Sequence, residues 1–163
     1  MCGRFTLTVG SAGMVDYFPK KWLADDGLQL MASYNIVPGS MVGAIINEAI
    51  PRLRPLHWGV IPFWSKGVKE GAGLINARSE TAAEKPTFRR AFRRRRCLIP
   101  ADGFYEWQVI RSGRKQPVYV RFKAGGVFAF AGLWACNSSA GGGERDELYR
   151  CTILTTTPNE LLQ

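Results

Sequence analysis

The chain opens Met1-Cys2-Gly3-Arg4-Phe5, and Cys2 is the residue on which unusual chemistry would rest. A side chain as small as cysteine at position two permits removal of the initiator methionine, leaving Cys2 with a free α-amine beside its thiol. The two nucleophiles then sit on adjacent carbons. Their ordinary pKa values are about 7.7–8.0 and about 8.5, so both reactive forms exist at neutral pH. An aldehyde can form a Schiff base at the nitrogen and then be trapped by the sulfur in a five-membered thiazolidine. The plain alternative is a small residue in a frayed terminus, and position alone does not separate the two.

Four further segments place polar or aromatic groups where a site would need them. Tyr34-Asn35-Ile36-Val37-Pro38-Gly39 reads as a turn in which the Asn35 amide bonds nearby backbone. Trp58-Gly59-Val60-Ile61-Pro62-Phe63-Trp64 is aromatic-rich, with a glycine and a proline that would hold rings at an edge. Ile75-Asn76-Ala77-Arg78-Ser79-Glu80-Thr81 offers an amide, a guanidinium and a carboxylate within a few residues, with a helix starting near Ser79. In Pro100-Ala101-Asp102-Gly103-Phe104-Tyr105-Glu106-Trp107, strand alternation puts Phe104 and Glu106 on one face and Tyr105 and Trp107 on the other. Each segment also has a bland reading: an Asx-turn, core aromatics, a helix start and an exposed glutamate.

The elements that must position these groups are mostly strands. Strand patterns cover Met41 to Asn47, Arg54 to Ile61, Cys97 to Ile99, Phe104 to Ile110, Pro117 to Phe122, Val127 to Ala135 and Tyr149 to Leu154. Turn chemistry at Arg111–Arg114 and at Ala124-Gly125-Gly126 predicts that three of them form successive antiparallel hairpins. Met14, Tyr17, Phe18 and Trp22 share one face of a helix expected over Gly13–Leu23. Ser138 to Glu144 reads as a surface loop. The expected fold is α+β: one β-rich domain of mostly antiparallel strands, a distorted barrel, with a few short helices.

Composition narrows the function classes. At 163 residues and 46% hydrophobic content the chain can bury one real core. No apolar run approaches the roughly 18 residues that span a bilayer, so a cytoplasmic, nucleoid-associated protein with no membrane partner is expected. Cys2, Cys97, Cys136 and Cys151 form no C-x-x-C pair and His57 is the single histidine, so neither a metal nor another cofactor is expected. Cys97, Cys136 and Cys151 lie in apolar runs and read as buried packing residues. A net charge of +9 points to a polyanionic partner. Its densest part, Arg89-Arg90-Ala91-Phe92-Arg93-Arg94-Arg95-Arg96, reads as a short helix entering a strand, and either a solvated face or a phosphate contact would account for it.

Taken together, Cys-Gly-Arg-Phe, Tyr-Asn-x-x-Pro-Gly, Trp-Gly-x-Ile-Pro, Ile-Asn-Ala-Arg-x-Glu-Thr and Arg-Cys-Leu-Ile-Pro-Ala-Asp-Gly-Phe-Tyr-Glu-Trp, in that order and from end to end, resemble the SOS response-associated peptidase family. The resemblance implies a domain that binds single-stranded DNA and joins its N-terminal cysteine covalently to abasic sites, protecting them during the DNA damage response. It would make Cys2 the nucleophile, Asn76 a positioner of the reacting sugar and Glu106 a proton-transfer group. Arg4 and Arg78 would hold flanking phosphates, Asn35 would line the site, and Phe63 with Trp64 would wedge or stack against bases. A monomer is expected.

The family's closing His-x-Arg-Met-Pro segment does not occur in these 163 residues, and His57 stands in a different motif. Thr157-Pro158-Asn159-Glu160 starts like a capped helix, with only Leu161, Leu162 and Gln163 after it. The expectation is therefore a single domain over residues 1–163 lacking its C-terminal portion. Two other classes fit parts of the pattern. Met-Cys-Gly also opens N-terminal-nucleophile hydrolases, either glutamine amidotransferases or a peptidase acting on its own N-terminus. A non-covalent nucleic-acid-binding module would leave Cys2 incidental.

Overall fold

The computed structural model describes residues 2–23, 30–61, 73–111, 113–138 and 147–159. In chain order the elements are β1 (Phe5–Leu7), a 3-10 helix (Ser11–Asp16), α1 (Lys20–Leu23), β2 (Ser33–Ile36), β3 (Met41–Ile46), β4 (Arg52–Trp58), β5 (Asn76–Arg78), α2 (Ser79–Ala82), α3 (Arg89–Arg94), β6 (Arg96–Ala101), β7 (Gly103–Val109), β8 (Lys115–Val120), β9 (Phe128–Ser138) and β10 (Glu147–Thr155). The α+β reading holds.

Strands β4-β3-β6-β9-β10 form a continuous sheet, and a parallel pairing of β10 with β4 closes it into a five-stranded barrel. Arg150 opposes His57 and Cys151 opposes Trp58 in that closing pair. Farther along, the same edge of β10 takes up β5, with Ile153 opposite Asn76 and Thr155 opposite Arg78. Beside the barrel lies a four-stranded antiparallel sheet of order β2-β1-β7-β8. Closure satisfies the backbone groups that an open edge would leave unpaired.

The core fills the space between barrel and sheet. Trp58, Phe5, Met14, Ile46, Leu56, Ile99, Leu133 and Ile153 are almost completely buried, and each large apolar side chain so removed from water stabilises the fold by about 1.5–3 kcal/mol. Phe5 meets Trp58 and Phe130 edge-on, at ring-centroid distances of 5.1 and 5.6 Å. The Trp58 indole N–H donates to the Ile75 carbonyl at 2.9 Å, which pins the entrance to β5. A second apolar cluster, Ala77, Ala82, Phe88 and Leu133, seats α2 and α3 on the outer face of the barrel.

Three sequence expectations change. The helix expected over Gly13–Leu23 breaks into the 3-10 helix and α1, because Pro19 lacks an N–H and disfavours a helical residue before it; Met14 is buried but Tyr17 is exposed. The hairpin at Arg111–Arg114 forms as read, joining β7 to β8. The turn at Ala124-Gly125-Gly126 makes no hairpin. It carries the chain from β8 in the small sheet to β9 in the barrel, and these strands do not pair. Asn35 lies in β2 and not in a turn. The turn follows it: the Ser40 N–H donates to the Val37 carbonyl at 3.1 Å, with Gly39 at φ +86°, a conformation that favours glycine. The expected loop from Ser138 to Glu144 lies outside the described residues but for Ser138, which ends β9, and the expected helix start at Thr157 leaves them at Glu160.

Candidate functional site

Cys2 is anchored to the core although it stands next to the chain terminus. Three residues on, Phe5 begins β1, whose pairing with Ile36 on one side and Phe104 on the other fixes the terminus between two strands. The Cys2 side chain is 6% exposed. Its thiol lies 3.9 Å from the Arg4 carbonyl, a weak S–H to oxygen contact. Burial pushes the thiol from its ordinary value of 9.0 up to about 11; the Arg4 hydrogen bond opposes this and the Glu106 charge adds to it.

Asn76 reaches Cys2 from the far side of the fold. β5 alternates, so Ala77 turns toward the α2–α3 cluster while Asn76 and Arg78 take the opposite face. The Asn76 side-chain N–H₂ donates to the Cys2 carbonyl at 2.8 Å. Its Oδ1 is buried and accepts no hydrogen bond among the described residues. A buried amide oxygen without a donor is costly in a closed fold and useful beside a reacting group that carries an N–H or O–H.

Glu106 comes from β7, two residues beyond Phe104, which pairs with Phe5. Phe104 packs into the core against Phe128 and Phe130, so alternation carries Glu106 on the same inner face, and its charge reaches the Cys2 thiol. The neighbouring residues face out, as the sequence pattern predicts: Tyr105 lies against Tyr119 with ring centroids 5.0 Å apart, and Trp107 is exposed. The Arg4 guanidinium lies 5.9 Å from the Trp107 ring centroid, and the Arg4 Nε is buried with no hydrogen-bond partner among the described residues.

The structure thus brings Cys2, Asn76 and Glu106 together from the N-terminus, β5 and β7. Arg4 is within two residues of Cys2, and Arg78, exposed at the start of α2, is two residues from Asn76. Asn35 is exposed on the edge strand β2, beside the Ile36 that pairs with Phe5. Phe63 and Trp64 lie outside the described residues. Glu80 turns away from this group: Thr156 Oγ1 donates to its carboxylate at 2.7 Å, which holds that carboxyl below its ordinary value. Of the remaining cysteines, Cys97 and Cys151 are buried as expected, whereas Cys136 is only half-buried. Burial pushes the Cys97 thiol up to about 12 and raises Cys151 well above its ordinary value.

One support of the site escaped the sequence reading. Asp102 accepts hydrogen bonds from the Thr6 hydroxyl and from both the N–H and hydroxyl of Thr8, tying β1 to the turn before β7. The Thr6 hydroxyl also pairs with the Tyr119 hydroxyl at 2.8 Å. Tyr119 can cross the sheet because position 103 is glycine; a Cβ there would stand 2.2 Å from the tyrosine oxygen. The alternating Thr6 and Thr8 beside an Asp-Gly pair was the available signal, but its partners are about a hundred residues apart in sequence.

Comparisons with known proteins agree with this architecture. The SOS response associated peptidase (SRAP) profile matches residues 1–163. The abasic site processing protein YoaM of Bacillus subtilis is 44% identical over 164 residues, covering 100% of this chain and 70% of that protein. Abasic site processing protein HMCES of Xenopus tropicalis is 28% identical over 202 residues, covering 99% of this chain and 59% of that one. A crystal structure of a Bacteroides thetaiotaomicron protein superposes with a TM-score of 0.78 at 23% identity, over 98% of this chain and 70% of that chain, and shares the fold. With the profile matched throughout and a relative 44% identical over the whole of this chain, the chain belongs to the SOS response associated peptidase family.

Proposed function

We propose that this protein processes abasic sites in DNA by covalent capture on Cys2, with Asn76 and Glu106 as its working partners. The observation that carries the reading is the grip of the Asn76 amide on the Cys2 carbonyl, which fixes the backbone of a nucleophile at a chain end that would otherwise fray. The names of the relatives, abasic site processing proteins, supply the substrate class.

The raised Cys2 thiol supports an order of steps in which the amine acts first. With its thiol raised to about 11, Cys2 is about one part in ten thousand thiolate at pH 7. Once Met1 is gone, Cys2 carries an α-amine, the nucleophile that remains while the thiol is protonated. The amine therefore attacks first. Its lone pair adds to the aldehyde carbon of the open sugar, the carbinolamine loses water, and an imine remains. The sulfur then adds to the imine carbon while the thiol proton passes to the nitrogen, closing the thiazolidine with no oxidant or co-reactant. Glu106, whose charge reaches the thiol, relays the protons in both steps of this reading, and the orphaned Asn76 Oδ1 offers an acceptor to the amine or a sugar hydroxyl. Arg4 and Arg78 supply contacts for flanking phosphates of a single strand, where every stacked or unstacked base is tolerated.

Incubation with abasic single-stranded DNA, followed by denaturing electrophoresis and peptide mapping, tests the reading. A denaturation-resistant adduct is expected on the N-terminal residue after loss of Met1. Cys2→Ala removes the sulfur and retention of Met1 removes the amine, so neither variant should yield a stable adduct. Undiminished capture by either would sink the mechanism, and glutamine hydrolysis by the unmodified chain would favour the amidotransferase alternative.

A further inference from the structure

β1 leads Cys2 into the site, yet its backbone ladders hold it weakly along its own axis. The strand is three residues long. Its register with β2 is irregular between Phe5 and Leu7, so that side sets no regular ladder. Its register with β7 covers two pairs, Phe5 with Phe104 and Thr6 with Gly103. Burial of Phe5 decides which face of β1 turns inward. Fine placement along β7 needs something more.

A polar cluster provides it. Asp102 grips Thr6 twice: its N–H donates to the Thr6 carbonyl at 3.0 Å, and its Oδ1 accepts from the Thr6 hydroxyl. Its Oδ2 takes both donors of Thr8. The Thr6 hydroxyl has one proton and its shortest contact is with Asp102, so in the 2.8 Å contact with Tyr119 the tyrosine hydroxyl donates. Thr6 is 1% exposed. Sliding β1 along β7 would leave that hydroxyl buried without either partner, which is costly. The cluster therefore ties β1, the entry to β7, and β8 at one lengthwise setting.

Both chains run from the cluster into the site. Cys2 stands four residues before Thr6, and Glu106 four residues after Asp102. Because β1 and β7 are antiparallel, these two paths lead the same way. Between them the Tyr105 N–H donates to the Arg4 carbonyl at 2.8 Å, and the same carbonyl lies 3.9 Å from the Cys2 thiol, on which the Glu106 charge acts. Proton transfer needs heavy atoms about 2.6–3.2 Å apart, and a misplacement of about 1 Å can cost about a hundredfold in rate.

We infer that Asp102, with Thr6, Thr8 and the Tyr119 hydroxyl, is a register pin that positions Cys2 against Glu106 and sets the rate of capture without touching DNA, a deepening that rests on the function proposed above. Asp102 and Tyr119 are positioning residues: they act through β1 and take no part in bond formation.

Single-turnover capture of an abasic single-stranded oligonucleotide, over a range of DNA concentration and well below the melting temperature, tests the pin. Asp102→Asn sets an amide donor against donors and should slow the saturating rate by about tenfold or more, with the half-saturating concentration within about twofold of the parent. Tyr119→Phe deletes one hydroxyl from an exposed residue and should slow the same rate to a lesser degree. Thr6→Val fills the same space without the hydroxyl and should be slow, whereas Thr6→Ser keeps it and should capture at close to the parental rate. A role in stability alone would lower the melting temperature and leave folded molecules reacting normally. A parental saturating rate in Asp102→Asn, a loss confined to half-saturation, or equal slowing by both Thr6 variants would overturn the pin.

Alkylation of Cys2 by iodoacetamide needs no DNA and separates this inference from the function beneath it. Loosening the terminus lifts part of the burial that holds the thiol up, so in Asp102→Asn the midpoint of the alkylation pH profile should fall below the parental value of about 11. If the parent forms no adduct with abasic DNA, the proposed function fails while the profile still decides the pin. An unchanged midpoint would defeat it.

Discussion

Glu106→Gln should move two reactivities of the same residue in opposite directions. The thiol of Cys2 is raised from 9.0 to about 11, chiefly by burial, opposed by the Arg4 hydrogen bond and then raised further by the negative charge of Glu106. A hundredfold loss of thiolate corresponds to about 2.7 kcal/mol. Glu106 is a lesser cause than burial, so neutralising it should return only part of that loss. Alkylation of Cys2 by iodoacetamide should therefore speed up by about two- to fivefold near pH 8. Capture of an abasic strand should slow by tenfold or more, because a positioned proton carrier contributes about 10²–10⁴ in rate and water replaces it poorly. Both rates can be followed on one preparation lacking Met1, by mass spectrometry for alkylation and denaturing gels for capture. If capture accelerates along with alkylation, thiolate supply limits the reaction, and the proton-relay role of Glu106 is wrong.

Asn76→Ala should slow capture by tenfold or more while shifting the melting temperature little: the unpaired Cys2 carbonyl costs about 1–3 kcal/mol, but the variant also removes the orphaned Oδ1. A rate within twofold of the parent would refute the positioning role. Alkali should destabilise the fold, since Cys2, Cys97 and Cys151 all have raised thiols that stay protonated when folded and ionise when unfolded. Their stabilising contribution is complete below about pH 9 and is lost as pH climbs toward the folded values, by up to about 1.4 kcal/mol per pH unit for each thiol. Denaturant melts from pH 8 to 11 should show a shallower decline for Cys97→Val than for the parent, and identical slopes would contradict this account.

How much of this was legible in the sequence depended on how far apart the interacting residues lie. The barrel strands β3, β4, β9 and β10 show in local pattern over most of their length, and β6 over Cys97 to Ile99 of its six residues. The strands β1, β2 and β5 do not. They are three or four residues long and become strands only by pairing with distant chain, as Phe5 does with Phe104. The same distance hid the Asp102 anchor and misassigned the Gly125-Gly126 turn, whose glycines are compatible with a hairpin although the partner strand belongs to another sheet. Cys2 stands out by the aminothiol its position would give, while the roles of Asn76 and Glu106 come from the family resemblance of their motifs. No local pattern could have shown that the Asn76 amide would close on the Cys2 carbonyl.

The proposed nucleophile, Cys2, stands beside a chain terminus, and this joins fold to chemistry. Only there can one residue present an amine and a thiol together, yet termini are the least ordered part of most domains. This fold removes that liability with tethers on both sides of Cys2. The β1 ladder holds Phe5 between β2 and β7, Asp102 locks Thr6 and Thr8, and Asn76 holds Cys2 itself. The burial that results suppresses the thiolate, so the sulfur stays protonated and unreactive toward casual electrophiles. In the proposed capture it would become useful once the amine has carried an aldehyde into place, because an iminium beside the sulfur favours its ionised form, as any nearby cation does. On the proposed mechanism, burial would restrain the thiol until an aldehyde is captured, and selectivity for an aldehyde over other electrophiles would follow from the tethering that orders Cys2.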